Sequence, residues 1–174
     1  LDGKKYILKN NMCVISDKKG ALGLGGIIGG IRSGTEFATK NILLESAYFY
    51  PSSVRKTANI LDIDTDAKYR FERGIDPNSI KEGLQLATEL IIKICGGEAS
   101  KFSIVGKSNV KNRSIEIDHN KFKKVIGIPI SSNETKKILN SLGFKTKASK
   151  KNFKVEIPSW RPDVKQDVDI IEEL

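Results

Sequence analysis

The residues Thr65-Asp-Ala-Lys-Tyr-Arg-Phe-Glu-Arg-Gly-Ile-Asp-Pro77 crowd two arginines, a glutamate and a turn signal into thirteen positions. This composition is too charged for a buried strand. Asp76 and Pro77 have the residue types of an N-cap and a first helical position, so they predict that the longest helix of the chain begins here. Loops anchored to a rigid helix in this way often carry function. The alternative is a solvated turn that structural ion pairs hold in place.

The segments on either side of this loop predict helices. Downstream, apolar residues at steps of three and four predict a helix over 78–94, and Gly96-Gly97 ends it. Upstream, residues 54–61 predict a shorter helix with Ser52 or Ser53 as its cap. The loop therefore joins two helical segments.

A strand is predicted over residues 41–50, where an apolar run is interrupted by Glu45. A carboxylate between Leu44 and Ala47 is expected to be partly desolvated, and burial requires a hydrogen-bond partner. That partner is either a ligand or the neighbouring backbone.

Residues 21–30 contain five glycines. Before them, residues 5–8 and 12–16 predict short strands, and Asp17–Gly20 predicts a hairpin turn. The glycines match neither a phosphate-binding loop nor a dinucleotide fingerprint. Their open backbone amides suit a carboxyl or ester group, but glycines also serve close packing within a sheet.

A polar stretch over 100–112 predicts a domain boundary, and a smaller unit follows it. Asp118 and Gly127 predict the ends of one helix, and Ser131 with Glu134 predicts a capping box at the start of a second. The predicted order is a strand over 114–117, these two helices, and a hairpin of 144–148 with 153–157. This order is typical of a winged-helix-like module, a fold found on nucleic acids and in protein-binding scaffolds.

The chain is therefore predicted to be an α+β protein of two domains, residues 1–112 and 113–174. It contains no apolar run long enough to span a membrane. Cys13 and Cys95 lack the spacing of a zinc site or a disulfide framework and are expected to be small buried hydrophobes. The start at Leu1, without an initiator methionine or a signal peptide, leads us to expect a cytosolic piece of a longer protein.

The net charge of +9 is concentrated in one segment. Residues 101–154 hold 14 basic and 3 acidic side chains, whereas residues 1–100 hold 14 and 12. A positive segment of this kind suits a polyanion such as RNA. The alternative is a compositional bias, because 24 of the 30 basic residues are lysine.

The end of the chain is acidic. If residues 167–174 are helical, Asp169, Glu172 and Glu173 share one face, and Asp163 lies just ahead of them. Several carboxylates without histidine or cysteine suit a hard cation, Mg²⁺ more than zinc. The alternative is a set of ordinary acidic residues that the dipole of a helix N-terminus favours.

Six motifs in order resemble the β subunits of bacterial phenylalanyl-tRNA synthetases along the whole chain. They are the glycine-rich stretch, Leu43-Leu-Glu-Ser-Ala47, Thr65-Asp-Ala67, Arg70-Phe-Glu-Arg-Gly-Ile-Asp-Pro77, Gly96-Gly97, and Pro158-Ser-Trp-Arg161 with Asp169-Ile-Ile-Glu-Glu173. The resemblance implies that the first domain is the C-terminal part of a tRNA-editing module. The second would be the winged-helix-like module that follows it.

The resemblance further implies a pocket that hydrolyses tyrosine wrongly attached to tRNA(Phe). Gly26, Gly29 and Ala67 would line it, Glu45 would bind the tyrosine hydroxyl, and Thr65 would be catalytic. Phenylalanine and tyrosine differ by one hydroxyl, and a site shaped for the smaller side chain cannot reject the larger strongly enough, so a second site is needed. Thr65 Oγ and the glycine amides would orient a water and support the oxyanion.

The acidic residues Asp163, Asp169, Glu172 and Glu173 match Mg²⁺ ligands at the family's interface with its α subunit. The resemblance implies an (αβ)₂ heterotetramer that binds tRNA(Phe), with the ATP-dependent chemistry on α, so this chain is not expected to bind ATP. The pocket also uses a histidine and an arginine from a preceding segment that does not occur here. We therefore expect little hydrolysis by the chain alone. The alternative is a non-catalytic scaffold that binds tRNA or docks the α subunit.

Overall fold

The structure is a computed structural model that describes residues 1–106, 113–149 and 152–174. The chain divides into two compact units, Leu1–Val105 and Gly106–Leu174, called unit 1 and unit 2 below. Each unit combines helices with one three-stranded antiparallel sheet. The predicted mixture of α and β structure is therefore confirmed.

The sheet of unit 1 is small. Its strands are β1 (Val14–Asp17), β2 (Gly20–Leu24) and β3 (Ile28–Gly29), with β2 in the centre, and a 3₁₀ turn over Ile31–Ser33 follows. The predicted hairpin turn after Asp17 is confirmed, since β1 and β2 pair from Asp17↔Gly20 onward. The predicted strand over 5–8 does not form.

Three helices follow the sheet in unit 1: α1 (Pro51–Leu61), α2 (Asp66–Phe71) and α3 (Ile80–Cys95). α1 begins at Pro51, and its N-cap Tyr50 makes no side-chain bond, so the predicted serine cap is wrong. The longest helix begins at Ile80, so the prediction of Asp76 as its N-cap and Pro77 as its first position is wrong. The reason is a turn, in which Asp76 Oδ1 accepts from the amide of Asn78 at 2.9 Å and the Asp76 carbonyl accepts from the amide of Ser79 at 3.1 Å.

Residues 41–50 do not form the predicted strand. The strands of the sheet pair with one another, and this segment packs elsewhere. The hydroxyl of Ser46 donates to the carbonyl of Ile80, at the start of α3, at 2.9 Å, and Phe49 packs on the core. An apolar run without a partner strand cannot satisfy its backbone as a strand. Cys13 and Cys95 are both exposed, so the expectation that they are buried is wrong.

The core of unit 1 is limited. It contains Leu24, Ile27, Val54, Ala58 and Ile63, with Tyr6, Phe49 and Phe71 among the side chains packed against it. α3 adds no fully buried residue, and its Leu86 and Ile94 are 60% and 72% exposed.

Unit 2 follows the predicted order. Its elements are β4 (Arg113–Asp118), α4 (His119–Ile126), α5 (Ser132–Ser141), β5 (Lys145–Ala148), β6 (Asn152–Ile157) and α6 (Asp167–Glu172), with the strands ordered β4-β6-β5. The predicted ends of α4 form, since Asp118 accepts from the amide of Asn120 at 2.8 Å and Gly127 has φ of 88°. The predicted capping box forms in half: Ser131 Oγ accepts from the amide of Glu134 at 3.2 Å, and no return bond from the Glu134 side chain is seen among the described residues. The winged-helix-like character of this unit stays a prediction.

Alternation along β6 positions the core of unit 2. Phe153, Val155 and Ile157 are buried on one face, while Lys154 lies exposed on the other. The buried cluster consists of Ile117, Phe122, Leu139, Phe144, Phe153, Val155, Ile157, Val164, Ile170 and Ile171. In the parts of the chain that the structure describes, no helix is both long and apolar enough to cross a membrane.

Candidate functional site

The loop between β2 and β3 carries Gly25 and Gly26 against an aromatic pair. A Cβ on Gly25 would lie 2.6 Å from the ring of Phe49, and one on Gly26 would lie 2.9 Å from Phe49 and 3.1 Å from Phe71. The two rings pack edge to face with their centroids 5.2 Å apart. Gly26 also has a φ of 69°, which an L-residue adopts at a cost. Both glycines therefore serve close packing, the alternative that the sequence left open.

Most amides of this loop are already bonded. The amide of Gly25 donates to Cys13 at 3.0 Å, that of Ile27 to Leu24 at 3.0 Å, and that of Gly30 to Leu22 at 2.7 Å. The amide of Gly26, by contrast, donates to no backbone carbonyl of the described residues. It is thus a donor of this loop, between the occupied amides of Gly25 and Ile27, that a ligand could use.

Thr65 is the N-cap of α2 and is tied to the glycine loop. Its Oγ1 accepts from the amide of Lys68 at 3.1 Å and donates to the carbonyl of Ile27 at 2.7 Å. The hydroxyl proton is therefore committed to Ile27, and one acceptor position on Oγ1 is left. Ala67 lies half-buried in the first turn of the same helix. The structure thus ties Thr65, at the start of the helix that carries Ala67, to the residue that follows Gly26.

Gly29 and Glu45 are placed differently. Gly29 is exposed in β3, where its carbonyl accepts from the amino terminus of Leu1 at 2.8 Å. Glu45 is exposed in the irregular segment over 41–50, and its carboxylate joins no hydrogen bond or ion pair among the residues the structure describes. The expectation that Glu45 is partly desolvated is therefore wrong for this chain, because no strand carries it into the core.

The charged residues after Thr65 form a support between α1 and α2. The Glu72 carboxylate is only 13% exposed and lies 2.9 Å from Arg73, 3.6 Å from Lys68 and 4.0 Å from Arg55. Arg73 also lies over the ring of Tyr69 at 3.7 Å. Structural ion pairs therefore hold this stretch, which was the alternative to a functional loop.

Unit 2 has a basic groove on the exposed face of its sheet. Its volume is about 540 Å³, and its lining consists of Arg113, Ser114, Lys145, Thr146, Lys147, Lys154 and Glu156. Lys147 lies directly opposite Lys154 in the β5–β6 ladder. Like charges in such a pair repel each other unless an anion lies between them. Because basic side chains outnumber the single carboxylate of Glu156 in the groove, this face attracts anions.

The acidic tail is organised around Arg161. Its Nε donates to both carboxylate oxygens of Asp163 at 3.0 Å, and its Nη2 donates to Asp163 Oδ2 at 2.6 Å and to Glu173 Oε1. These bonds raise the pKa of Arg161 and hold the pKa of the Asp163 carboxyl below its usual range. Sequence reasoning included Arg161 in a motif but gave it no role.

Of the other two predicted metal ligands, Asp169 is bonded to the backbone and Glu172 lies exposed. Asp169 Oδ2 accepts from the amides of Lys165 at 2.7 Å and Gln166 at 2.8 Å, and these backbone bonds lower the pKa of Asp169. Glu172 is exposed at the end of α6. Over residues 1–106, 113–149 and 152–174, no three metal-ligating side chains lie close enough to hold a metal ion. As arranged, the four predicted ligands do not fit Mg²⁺.

Two family models match the chain. Residues 1–96 match the B3/4 domain, and residues 115–174 match the tRNA synthetase B5 domain. Over 174 residues the chain is 39% identical to the phenylalanine–tRNA ligase beta subunit of Mesorhizobium japonicum and 41% identical to that of Rhodopseudomonas palustris. Each alignment covers 100% of this chain and 22% of the relative, so the chain spans about a fifth of their length.

One solved structure gives a weaker match. It is an N-terminal fragment of the phenylalanyl-tRNA synthetase beta-subunit from Pyrococcus horikoshii, with 21% identity and a TM-score of 0.35 over 38% of this chain and 19% of that one. A similarity this low supports no argument. The family models and the beta subunits confirm the resemblance predicted from the motifs. The chain belongs to the B3/4 domain family, and along its whole length it is similar to one segment of phenylalanine–tRNA ligase beta subunits.

Proposed function

We propose that the chain is a working part of a cytoplasmic phenylalanine–tRNA ligase, in which unit 1 contributes the pocket that hydrolyses tyrosine from mischarged tRNA(Phe). The observation that carries the proposal is the similarity over all 174 residues to beta subunits of this ligase, with both domain models in order. In the assembled enzyme an α subunit performs the ATP-dependent chemistry, and this chain needs no ATP site. The proposed partners are that α subunit, as an (αβ)₂ heterotetramer, and tRNA(Phe).

The geometry supports definite roles for Thr65 and Gly26. Because the Thr65 hydroxyl donates to Ile27, its remaining acceptor position can take a hydrogen from a water and so orient that water toward an ester. The amide of Gly26 is the loop donor suited to the oxyanion, since the neighbouring amides are occupied. Ala67 limits the volume beside Thr65.

Glu45 is proposed to select tyrosine through its hydroxyl. A carboxylate forms a charge-assisted bond with a phenol, and phenylalanine would leave it unpaired. Glu45 is exposed in this chain, so the bound tyrosyl group itself has to exclude water from the carboxylate. Gly29 is proposed to line the pocket wall, since it is exposed in β3.

The test uses the complete β subunit assembled with α. Glu45→Ala is expected to lower deacylation of Tyr-tRNA(Phe) about tenfold or more, because a charge-assisted bond is lost, while charging with phenylalanine is unchanged. Glu36→Ala removes another exposed carboxylate of unit 1 and is the matched control. Equal loss of both activities in Glu45→Ala would indicate a structural role. The 174-residue chain alone is expected to deacylate little, and a rate near that of the heterotetramer would contradict this expectation.

The second candidate function is a scaffold that binds tRNA without catalysis. The basic groove of unit 2 favours it, because Lys145, Lys147 and Lys154 lie together on one exposed face. Neutralising one phosphate-contacting lysine would weaken tRNA binding and reduce its salt dependence. Lys154→Gln is therefore expected to weaken tRNA binding in the heterotetramer but leave the deacylation rate at saturating tRNA unchanged.

Magnesium binding by Asp163, Asp169, Glu172 and Glu173 is predicted at the interface with the α subunit, and it stays a prediction for the assembled enzyme only, supported by their residue types. Their present arrangement does not gather three ligands. No step of the proposed function passes through a metal ion.

A further inference from the structure

Arg161 occupies the position between two of the carboxylates where a cation would have to bind. Its guanidinium donates to Asp163 from both Nε and Nη2, and to Glu173 from Nη2. The Arg161 and Glu173 side chains are only 24% and 21% exposed, so their bond is better shielded from water than an ordinary surface ion pair, whereas Asp163 is 60% exposed. Two carboxylates that a bound metal would need are thereby neutralised from within the chain.

Arg161 is also fixed from its other sides. Its guanidinium lies 5.4 Å from the centre of the Phe144 ring, and Phe144 is fully buried. Its carbonyl accepts from Nη2 of Arg113 at 2.8 Å, and Nη1 of Arg113 donates to the carbonyl of Val164 at 3.1 Å. Backbone and side chain are therefore both held. Moving Arg161 aside would break several charge-assisted bonds at once.

The donors that remain are too few for a divalent ion. One oxygen of Asp169 is saturated by two backbone amides. Its second oxygen, Oε2 of Glu173 and the exposed Glu172 are left, and among the described residues they gather into no three-ligand site, whereas Mg²⁺ requires a near-octahedral set of oxygens and gives up its waters reluctantly. Such a pair binds a hydrated ion weakly.

We propose that Arg161 is the resident cation of the acidic tail and competes with divalent cations for Asp163 and Glu173. The tail then packs through α6 on the core of unit 2 without a metal ion, because Ile170 and Ile171 are buried and the carboxylates are already paired. A divalent ion binds at these residues only by displacing the guanidinium. This inference is independent of the proposed editing function.

The test is calorimetric titration of the 174-residue chain with Mg²⁺ and, as a probe of higher affinity, Mn²⁺. Wild type is expected to show no saturable binding at ionic concentrations below the millimolar range, and Arg161→Met is expected to bind at least about tenfold more tightly, because removing the guanidinium frees two carboxylates. Methionine keeps an apolar stem against Phe144. Arg70→Met removes an exposed arginine and is the matched control, for which no change is expected.

A variant that keeps the charge sharpens the result. Arg161→Lys retains a cation but lacks the planar fork, so its affinity for Mn²⁺ is expected to lie between those of wild type and Arg161→Met. Saturable, tight binding by wild type that Arg161→Met leaves unchanged or weakens would overturn the proposal.

A second measurement on wild type covers the case in which Arg161→Met fails to fold. The Nε–H resonance of Arg161, followed by ¹⁵N NMR, is expected to keep its position as Mg²⁺ is added up to a few millimolar, since the bond to Asp163 persists. A saturable shift of this resonance in that range would show that the ion displaces the guanidinium readily, and the proposal would fail.

Discussion

Unit 2 buries its apolar side chains more completely than unit 1, although it is the shorter of the two. Among the described residues, ten buried residues form one cluster in unit 2, and five do so in unit 1. The longest helix of unit 1 adds no buried residue, whereas the short α6 of unit 2 adds two. A core of this size holds the fold of unit 2. Unit 1 relies more on local devices: glycine packing, the Thr65 cap and the ion pairs of Glu72.

The largest difference in stability loss between the units is expected when one phenylalanine is truncated in each. Phe153 is fully buried and also contacts the rings of His119 and Phe122, so Phe153→Ala should lower the free energy of unfolding of unit 2 by about 3–5 kcal/mol. Phe49→Ala should cost unit 1 less, because Phe49 is only partly buried.

Urea unfolding separates the two effects. Trp160 is the single tryptophan of the chain and lies in unit 2, so its fluorescence follows that unit. Hydrogen exchange of the α1 amides follows unit 1. If both variants lose the same free energy of unfolding, then unit 1 depends on its core as much as unit 2 does, and the proposed difference between them is wrong.

The second prediction concerns two glycines with the same backbone conformation and different surroundings. Gly26 has φ of 69° and Gly127 has φ of 88°. Gly127→Ala should cost unit 2 about 1–2 kcal/mol, which is the cost of the left-handed backbone alone, because nothing lies within 4 Å of the added Cβ. Gly26→Ala should cost unit 1 about 1–3 kcal/mol more, because its Cβ would meet Phe49 and Phe71.

Thermal and urea unfolding of both variants measure this difference. If Gly26→Ala costs no more than Gly127→Ala, then the aromatic pair moves aside freely. The glycine would in that case be required for backbone conformation or for a ligand rather than for packing.

The third prediction compares two helix caps. Thr65 Oγ1 both caps α2 and donates to Ile27, whereas Ser131 Oγ only caps α5. Thr65→Val should therefore cost about 2–3 kcal/mol, and Ser131→Ala about 1 kcal/mol. Thr65→Ser keeps the hydroxyl and should restore most of the loss. Hydrogen exchange at Lys68 and Glu134 measures each cap locally, and a Thr65→Val cost no larger than that of Ser131→Ala would mean that the bond to Ile27 contributes little.

The sequence predicted unit 2 more accurately than unit 1, and the reason lies in the range of the interactions. The ends of α4 and the start of α5 depend on Asp118, Gly127 and Ser131, whose bonds reach only a few residues along the chain. Such caps are visible in a sequence. The alternation along β6 is equally visible, because the core of unit 2 lies on one face of its sheet.

The errors in unit 1 arise where distant or competing contacts decide. Residues 41–50 have the composition of a strand, but no partner strand pairs with them, and a sequence does not show pairing. At Asp76 two local motifs competed, and the turn prevailed over the helix cap. The Thr65 cap was missed, although a threonine directly before Asp66 and a run of helix formers would have indicated it. In unit 2 the same holds for Arg161, whose role depends on Glu173, twelve positions along the chain.

The smallest predicted effect is a dependence of unit 1 on pH. Arg32 binds Asp17 through two hydrogen bonds of 2.8 and 3.0 Å and lowers the pKa of that carboxyl from its ordinary 3.8 to about 2. The depressed pKa in the folded state means that the pair stabilises unit 1 fully above pH 3.8, and that this contribution is lost as the pH falls through about 2. Both side chains are largely exposed, so the effect should be small and should weaken in high salt.

Asp17→Asn isolates this contribution, because asparagine has nearly the same shape and no charge to lose. The stability of the variant, followed by α1 hydrogen exchange between pH 4 and pH 2, should fall less steeply than that of wild type. Some dependence should remain, since the hydrogen bond from Tyr6 also lowers the pKa of Asp2. Trp160 fluorescence should report no difference between the two proteins, because Asp17 belongs to unit 1. An equal change at Trp160 would mean that the two units unfold together. The difference between their cores would then not set the stability of each unit separately.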